Sequence, residues 1–144
     1  MLCALYLLFG VYILVNNMEN CPFCNIEKLI DKDRIVYQDS SWIAIYDNYP
    51  VSKGHVLLIP KRHCETYFNL NYVELASLGV TIGAIKLILN KKFNPDGYNI
   101  GVNCGEAAGQ TVKHCHIHII PRYKGDMEDP RGGVRGVIPE KQKY

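Results

Sequence analysis

Residues 113–122 read KHCHIHIIPR. Three of the chain's five histidines, His114, His116 and His118, stand at every second position of an otherwise apolar run. Strict alternation is the mark of a β-strand, in which successive side chains point to opposite faces. The spacing predicts that the three imidazoles share one face, about 6.5–7 Å apart at twice the rise per residue. Cys115, Ile117 and Ile119 then share the other, and Pro121 closes the strand.

Such a row of histidines has a bland reading, a solvated face or rings satisfied by core partners, and two chemical ones. Two or three imidazoles can meet on one zinc ion. Alternatively, one imidazole attacks phosphorus while its other ring nitrogen is held by an acceptor that fixes the tautomer, with donors nearby for charge growing on the phosphate oxygens. The loop GEAAGQT leads directly into the run. Small residues let backbone N–H groups approach an anion closely, and Gln110 and Thr111 add side-chain donors, which favours a phosphate-reading site.

The rest of the chain predicts a small α+β domain. RIVYQD and WIAIYD read as two strands around a turn, and NYPVSKG as a loop. HVLLIP has the continuous apolar character of a strand buried on both faces, and YNIGVN reads as a further strand. Residues 71–92 form the one long helix, with an apolar stripe of Leu75, Leu78, Ile82, Ile85 and Leu89, a capping box from Asn71 and Glu74, and Pro95 beyond its end. CPFCNIEKLI is a short loop entering a helical turn. The tail from 128, with its Gly, Pro and charge, is expected to be irregular. RGGVRG within it could fold over phosphate groups or remain a solvated tail.

The 144 residues suffice for one domain with a real core, and 48% hydrophobic against 21% charged residues excludes a disordered chain. A net charge of +2 gives no case for nucleic-acid binding. The basic surplus is local, however, with seven Lys and Arg against four Asp and Glu after Gln110. The six cysteines lack the spacing of a secreted disulfide framework, and a reduced, cytoplasmic setting follows. LCALYLLFGVYILV at the N-terminus is shorter than the roughly 20 residues of a membrane span and lacks the charge of a secretory signal. Residues 1–17 are therefore read as an extension outside the domain, with a membrane-associating or partner-packing helix and a true signal as alternatives. The domain runs from 18 to 127 and the tail from 128 to 144.

AGQTVKHCHIHIIPR resembles the signature of the histidine-triad (HIT) family, and DNYPVSKGHVLLIPKRH resembles that family's preceding segment. The resemblance spans about Cys21 to Arg122. It implies an antiparallel sheet with one long helix and a shorter one. It also implies hydrolysis or transfer at the α-phosphate of a nucleotide, of adenine in the first instance, through a covalent nucleotidyl-histidine. Dinucleoside polyphosphates and nucleoside phosphoramidates are the substrate classes, and no organic cofactor is needed. By position, His116 is the nucleophile, His118 contacts the phosphate and assists the leaving group, His114 orients the triad or binds metal, and His55 is the fourth histidine of the pocket. Asp47 falls at a ribose-binding position, although beside Asn48 it could simply cap a turn. Asn103, Gln110 and Thr111 match residues near the phosphate. CPFC resembles the cysteine pair with which bacterial-type relatives hold structural zinc, which places Cys21, Cys24, His63 and His114 around one ion. A homodimer is implied in the same way. The rival readings are a zinc-dependent hydrolase using the histidines as ligands and a nucleotide-binding module with little turnover.

Overall fold

The structure, a computed structural model, describes residues 20–143; the N-terminal extension lies outside them. A loop from Asn20 leads into a single helical turn, α1 (Ile26–Leu29), followed by strands β1 (Ile35–Gln38), β2 (Trp42–Tyr46) and β3 (Val56–Pro60). The long helix α2 (Tyr72–Phe93), β4 (Gly97–Val102) and β5 (Ile117–Arg122) complete the domain. The five strands form one antiparallel sheet in the order β1-β2-β3-β5-β4. The α+β class and the long helix with a shorter one are as the sequence predicts.

The two faces of the sheet have different tenants. On one, Trp42, Ala44, Val56, Leu58, Ile117 and Ile119 pack with Ile85 and Leu89 of α2 into the main core. On the other, Ile43, Ile45, Leu57 and Ile59 form a second cluster covered by Phe23, Ile26 and Ile30. All five residues of β3 are buried because both of its faces are covered. The register carries one row across the sheet from Ile35 through Ile45 and Leu57 to His118 and Gly101. The histidines therefore lie on the face opposite the long helix, at the end of an apolar wall.

α2 begins where the capping box predicts. The Asn71 side chain accepts from the Glu74 N–H at 2.9 Å, and Glu74 accepts from the Asn71 N–H at 2.7 Å. The core-facing stripe is shifted from the expected one. Glu74, Thr81, Ile85 and Leu89 are buried, whereas Leu75 is exposed. Glu74 takes the core-side position because Arg62 grips its carboxylate at 3.0 and 2.7 Å.

Two further expectations need correction. β5 starts only at Ile117, so His114 and His116 precede it, and Pro121 does not close it. The Pro121 carbonyl accepts from the Ser52 hydroxyl at 2.6 Å, on the flank opposite the loop that precedes β3. No ladder hydrogen bond is demanded of its missing N–H there. The tail is also more regular than expected: a 3₁₀ turn at Gly133–Val137 lies against β4, and a second at Pro139–Lys141 packs on the first.

Candidate functional site

Each histidine is best understood from its nitrogen partners. His114 lies in the bend before β5, fully buried, and its Nε2 is 2.8 Å from the carbonyl of Pro60 at the end of β3. A carbonyl only accepts, so Nε2 carries the proton and Nδ1 presents a lone pair. That lone pair faces Cys21 Sγ at 3.3 Å and Cys24 Sγ at 3.7 Å. His63, three residues past Pro60, brings its Nδ1 to 3.2 Å from Cys24 Sγ, and its ring stands edge-on to His114 at 5.0 Å. The bidentate Arg62–Glu74 pair, with a further Arg62 bond of 2.9 Å to the Asn69 carbonyl, anchors the segment carrying His63.

The four donor atoms of Cys21, Cys24, His63 and His114 lie within 4.8 Å of one another. Two sulfurs and two imidazole nitrogens are a donor set that suits tetrahedral zinc, and the Pro60 carbonyl supplies the outer partner that fixes a ligand histidine's tautomer. Burial lowers His114 to about 4, which keeps its ring neutral, and pushes the Cys24 thiol, beside Cys21, up to about 12. A metal entering this cluster therefore releases protons from the thiols.

The same reasoning applied to His116 gives the opposite orientation. Its Nδ1 is 2.8 Å from the His114 carbonyl, so Nδ1 carries the proton and Nε2 holds the lone pair. His118 is adjacent, with ring centroids 5.3 Å apart. Its Nδ1 is 3.1 Å from His55 Nε2. His55 Nδ1 accepts from the Val51 N–H at 3.3 Å, so the His55 proton sits on Nε2 and points at His118. His118 then carries its own proton on the outward Nε2. Burial holds both His55 and His118 below the ordinary histidine range. A ring with a free lone pair and a ring with an N–H donor thus stand side by side.

Asp47, at the end of β2, does two things. One carboxylate oxygen accepts from the Tyr49 N–H at 2.9 Å, the turn-capping role, and the other lies 3.5 Å from His55 Nδ1. Asn103 follows β4; continuing the β4–β5 register by one residue places it opposite His116. Thr111 is exposed in the loop before His114. Gln110 is deployed differently from a phosphate donor. Its amide donates to the Glu65 and Val112 carbonyls at 2.6 and 3.0 Å and accepts from the Gly105 N–H at 2.7 Å, so it braces the loop.

Phe23, Ile45 and Leu57 pack together on the histidine face and give it an apolar flank that the sequence did not place. Phe23 touches His116 edge-on at 5.4 Å. Its only sequence signal was its place inside the C-x-x-C.

The HIT domain pattern matches residues 29–125 of this chain. The chain belongs to the HIT family. It is 42% identical over 108 residues to a HIT-like protein of Methanocaldococcus jannaschii, covering 75% of this chain and 83% of that one. It is 38% identical over 101 residues to a bis(5'-adenosyl)-triphosphatase of Dictyostelium discoideum, covering 70% and 68%. Among solved structures, a zinc-bound histidine triad family protein of Mycobacterium smegmatis superposes with a TM-score of 0.68 at 32% identity, covering 78% and 81%.

Proposed function

We propose that this HIT protein is a nucleotide hydrolase or nucleotidyl transferase that cleaves at the α-phosphate of a dinucleoside polyphosphate or a nucleoside phosphoramidate. The observation that carries the reading is the His116 Nδ1–H bond to the His114 carbonyl, which leaves the lone pair on Nε2 of a ring that stands beside His118. Nε2 attacks the α-phosphorus and forms an N–P bond. The bond from phosphorus to the leaving group breaks, and its electron pair departs on that atom, where the His118 N–H meets the growing charge. An amine leaving group also takes up one proton from solvent, which the proton released in the hydrolysis step balances. The positive charge left on the nucleotidylated ring is held by the His114 carbonyl. Water then attacks phosphorus, the N–P pair returns to Nε2, and a nucleoside monophosphate and a proton are released.

Asp47 suits the ribose hydroxyls, and Phe23, Ile45 and Leu57 suit the face of an adenine base. The named activity of the Dictyostelium relative supports this substrate class. Zinc in the cluster of Cys21, Cys24, His63 and His114 supplies a structural tie between the N-terminal loop, the end of β3 and the approach to β5. The zinc-bound mycobacterial structure supports that assignment. A homodimer is part of the proposal. Val73, Val80 and Leu87 stand 63, 78 and 71% exposed on the outer side of α2, and β4 is the last strand of the sheet and bears the exposed Ile100.

One observation favours a second reading, a metal-dependent hydrolase: Asp47, His55 and His118 also bring one ligand atom each within 4.8 Å. Incubation with labelled diadenosine polyphosphate or adenosine phosphoramidate, with and without chelator, separates the two. Nucleotide trapped on His116 supports the covalent mechanism, whereas chelator-sensitive hydrolysis without adduct supports the metal. Sedimentation at equilibrium tests the dimer.

A further inference from the structure

The metal cluster and His116 touch each other at two points. Phe23 is the residue immediately before Cys24 in the C-x-x-C. Its ring stands edge-on to His114, with centroids 5.9 Å apart at 78°, and edge-on to His116, 5.4 Å apart at 70°. Its remaining surroundings are the apolar cluster of Ile43, Ile45, Leu57 and Ile59. The second connection is His114 itself, whose ring Nδ1 faces the sulfurs while its carbonyl receives the Nδ1–H of His116.

We propose that Phe23 is a positioning residue for His116, and that metal binding at the cysteine loop and nucleotide binding at His116 are thermodynamically coupled through Phe23 and the His114 carbonyl. This rests on the reading of His116 as the nucleotide-facing histidine. An ion bound by both thiolates pins the chain on either side of Phe23, since each sulfur must lie about 2.3 Å from it. The pinned ring then limits rocking of the His116 imidazole, and the ligated His114 ring limits movement of the carbonyl below it. A nucleophile that must meet phosphorus in line is sensitive to displacements of about 1 Å. Coupling of two binding equilibria is reciprocal, so a factor seen at one site must reappear at the other.

The test uses the full chain, zinc and adenosine monophosphate. Nucleotide affinity is measured by calorimetry on zinc-loaded and zinc-stripped protein, and zinc affinity by competition with a chromophoric chelator, with and without nucleotide. Circular dichroism accompanies each sample. Zinc should tighten nucleotide roughly tenfold, and nucleotide should tighten zinc by the same factor, within the usual range of about 5–150. The deciding arm stays zinc-loaded throughout, so it does not depend on the stripped chain remaining folded. Phe23→Leu should weaken nucleotide roughly tenfold and replace the single His116 tautomer, read from nitrogen-15 spectra of the ring, with a mixture. Phe23→Tyr, which keeps the ring edge, should restore both. A packing role alone would lower Tm in Phe23→Leu and leave the tautomer untouched, which overturns the proposal. Equal nucleotide affinity in folded zinc-loaded and zinc-stripped protein also overturns it and leaves the role of His116 standing. Failure of the zinc-loaded native chain to bind nucleotide at all would instead overturn the functional reading, and the coupling with it.

Discussion

The metal cluster and the proposed nucleotide face both rely on histidine, yet they use the ring in opposite senses. At the metal cluster, His114 spends its Nε2–H on the Pro60 carbonyl and offers Nδ1 to two sulfurs. At the proposed nucleotide face, His116 spends its Nδ1–H on the His114 carbonyl and keeps the lone pair on Nε2. His118 offers neither sense of lone pair outward; the chain from the Val51 N–H through His55 turns it into a donor. Two histidines two residues apart present different nitrogens, the one suited to a ligand and the other to the proposed nucleophile, because different backbone carbonyls claim different nitrogens. What separates the roles is therefore the partner behind each ring, not the ring itself.

The sharpest way to break this comparison is to remove the nucleophile. His116→Ala should abolish both the nucleotidyl adduct, read by mass spectrometry, and turnover, by at least about 10³-fold, while nucleotide still binds. His118→Ala leaves the attacking nitrogen and removes the donor. It should slow turnover by about 10²–10³-fold with adduct still detectable. Adduct on the His116→Ala protein would show that the two rings have been assigned the wrong way round.

The metal side is tested by Cys24→Ser, which should remove zinc in metal analysis. A loss of about 3 kcal/mol would lower Tm by roughly 10 °C in a chain of this size. Native protein purified under reducing conditions without zinc would dissolve the contrast between the two regions.

Gly54 sharpens the comparison from the pocket side. It precedes His55 at φ +85°, and a Cβ there would lie 2.7 Å from Phe93. Gly54→Ala should cost about 1–3 kcal/mol in chemical denaturation and reduce the rate, because the strain falls on the turn that orients His55.

A smaller effect follows from pH. His55 and His118 are held below their ordinary value of 6.5 in the folded protein by burial, so the unfolded chain binds more protons than the native one as pH falls. Their contribution to stability is present above about pH 6.5 and is lost as pH falls through the depressed folded values. Tm should therefore decline on acidification, and less steeply in His55→Asn. A Tm that rises below pH 6.5 would contradict the tautomer chain. The smallest effect is expected from the N-terminus. A chain beginning at Met18 should keep its kcat/KM in the assay of the native protein, and lost activity would move the domain boundary into residues 1–17.

By itself the sequence determined the elements whose causes are local. Alternation set His116 and His118 on one side, and the exchange between Asn71 and Glu74 started α2 because its partners are three residues apart. The four residues of the metal cluster were nominated by the resemblance of CPFC and the histidine run to the HIT family, position by position, and not by spacing alone. Only the tertiary structure decided what depends on distant partners. Leu75 lost the core position to Glu74 because Arg62, twelve residues upstream, could neutralise a buried carboxylate. Gln110 became a brace because Glu65, 45 residues away in sequence, placed a carbonyl within its reach. Phe23 became a neighbour of His116 because folding brought the cysteine loop over the sheet. Above all, the role of each histidine was decided by which nitrogen a carbonyl or N–H from another segment claimed. Residue type and spacing specify an imidazole, but its tautomer is a property of the neighbours that the fold delivers.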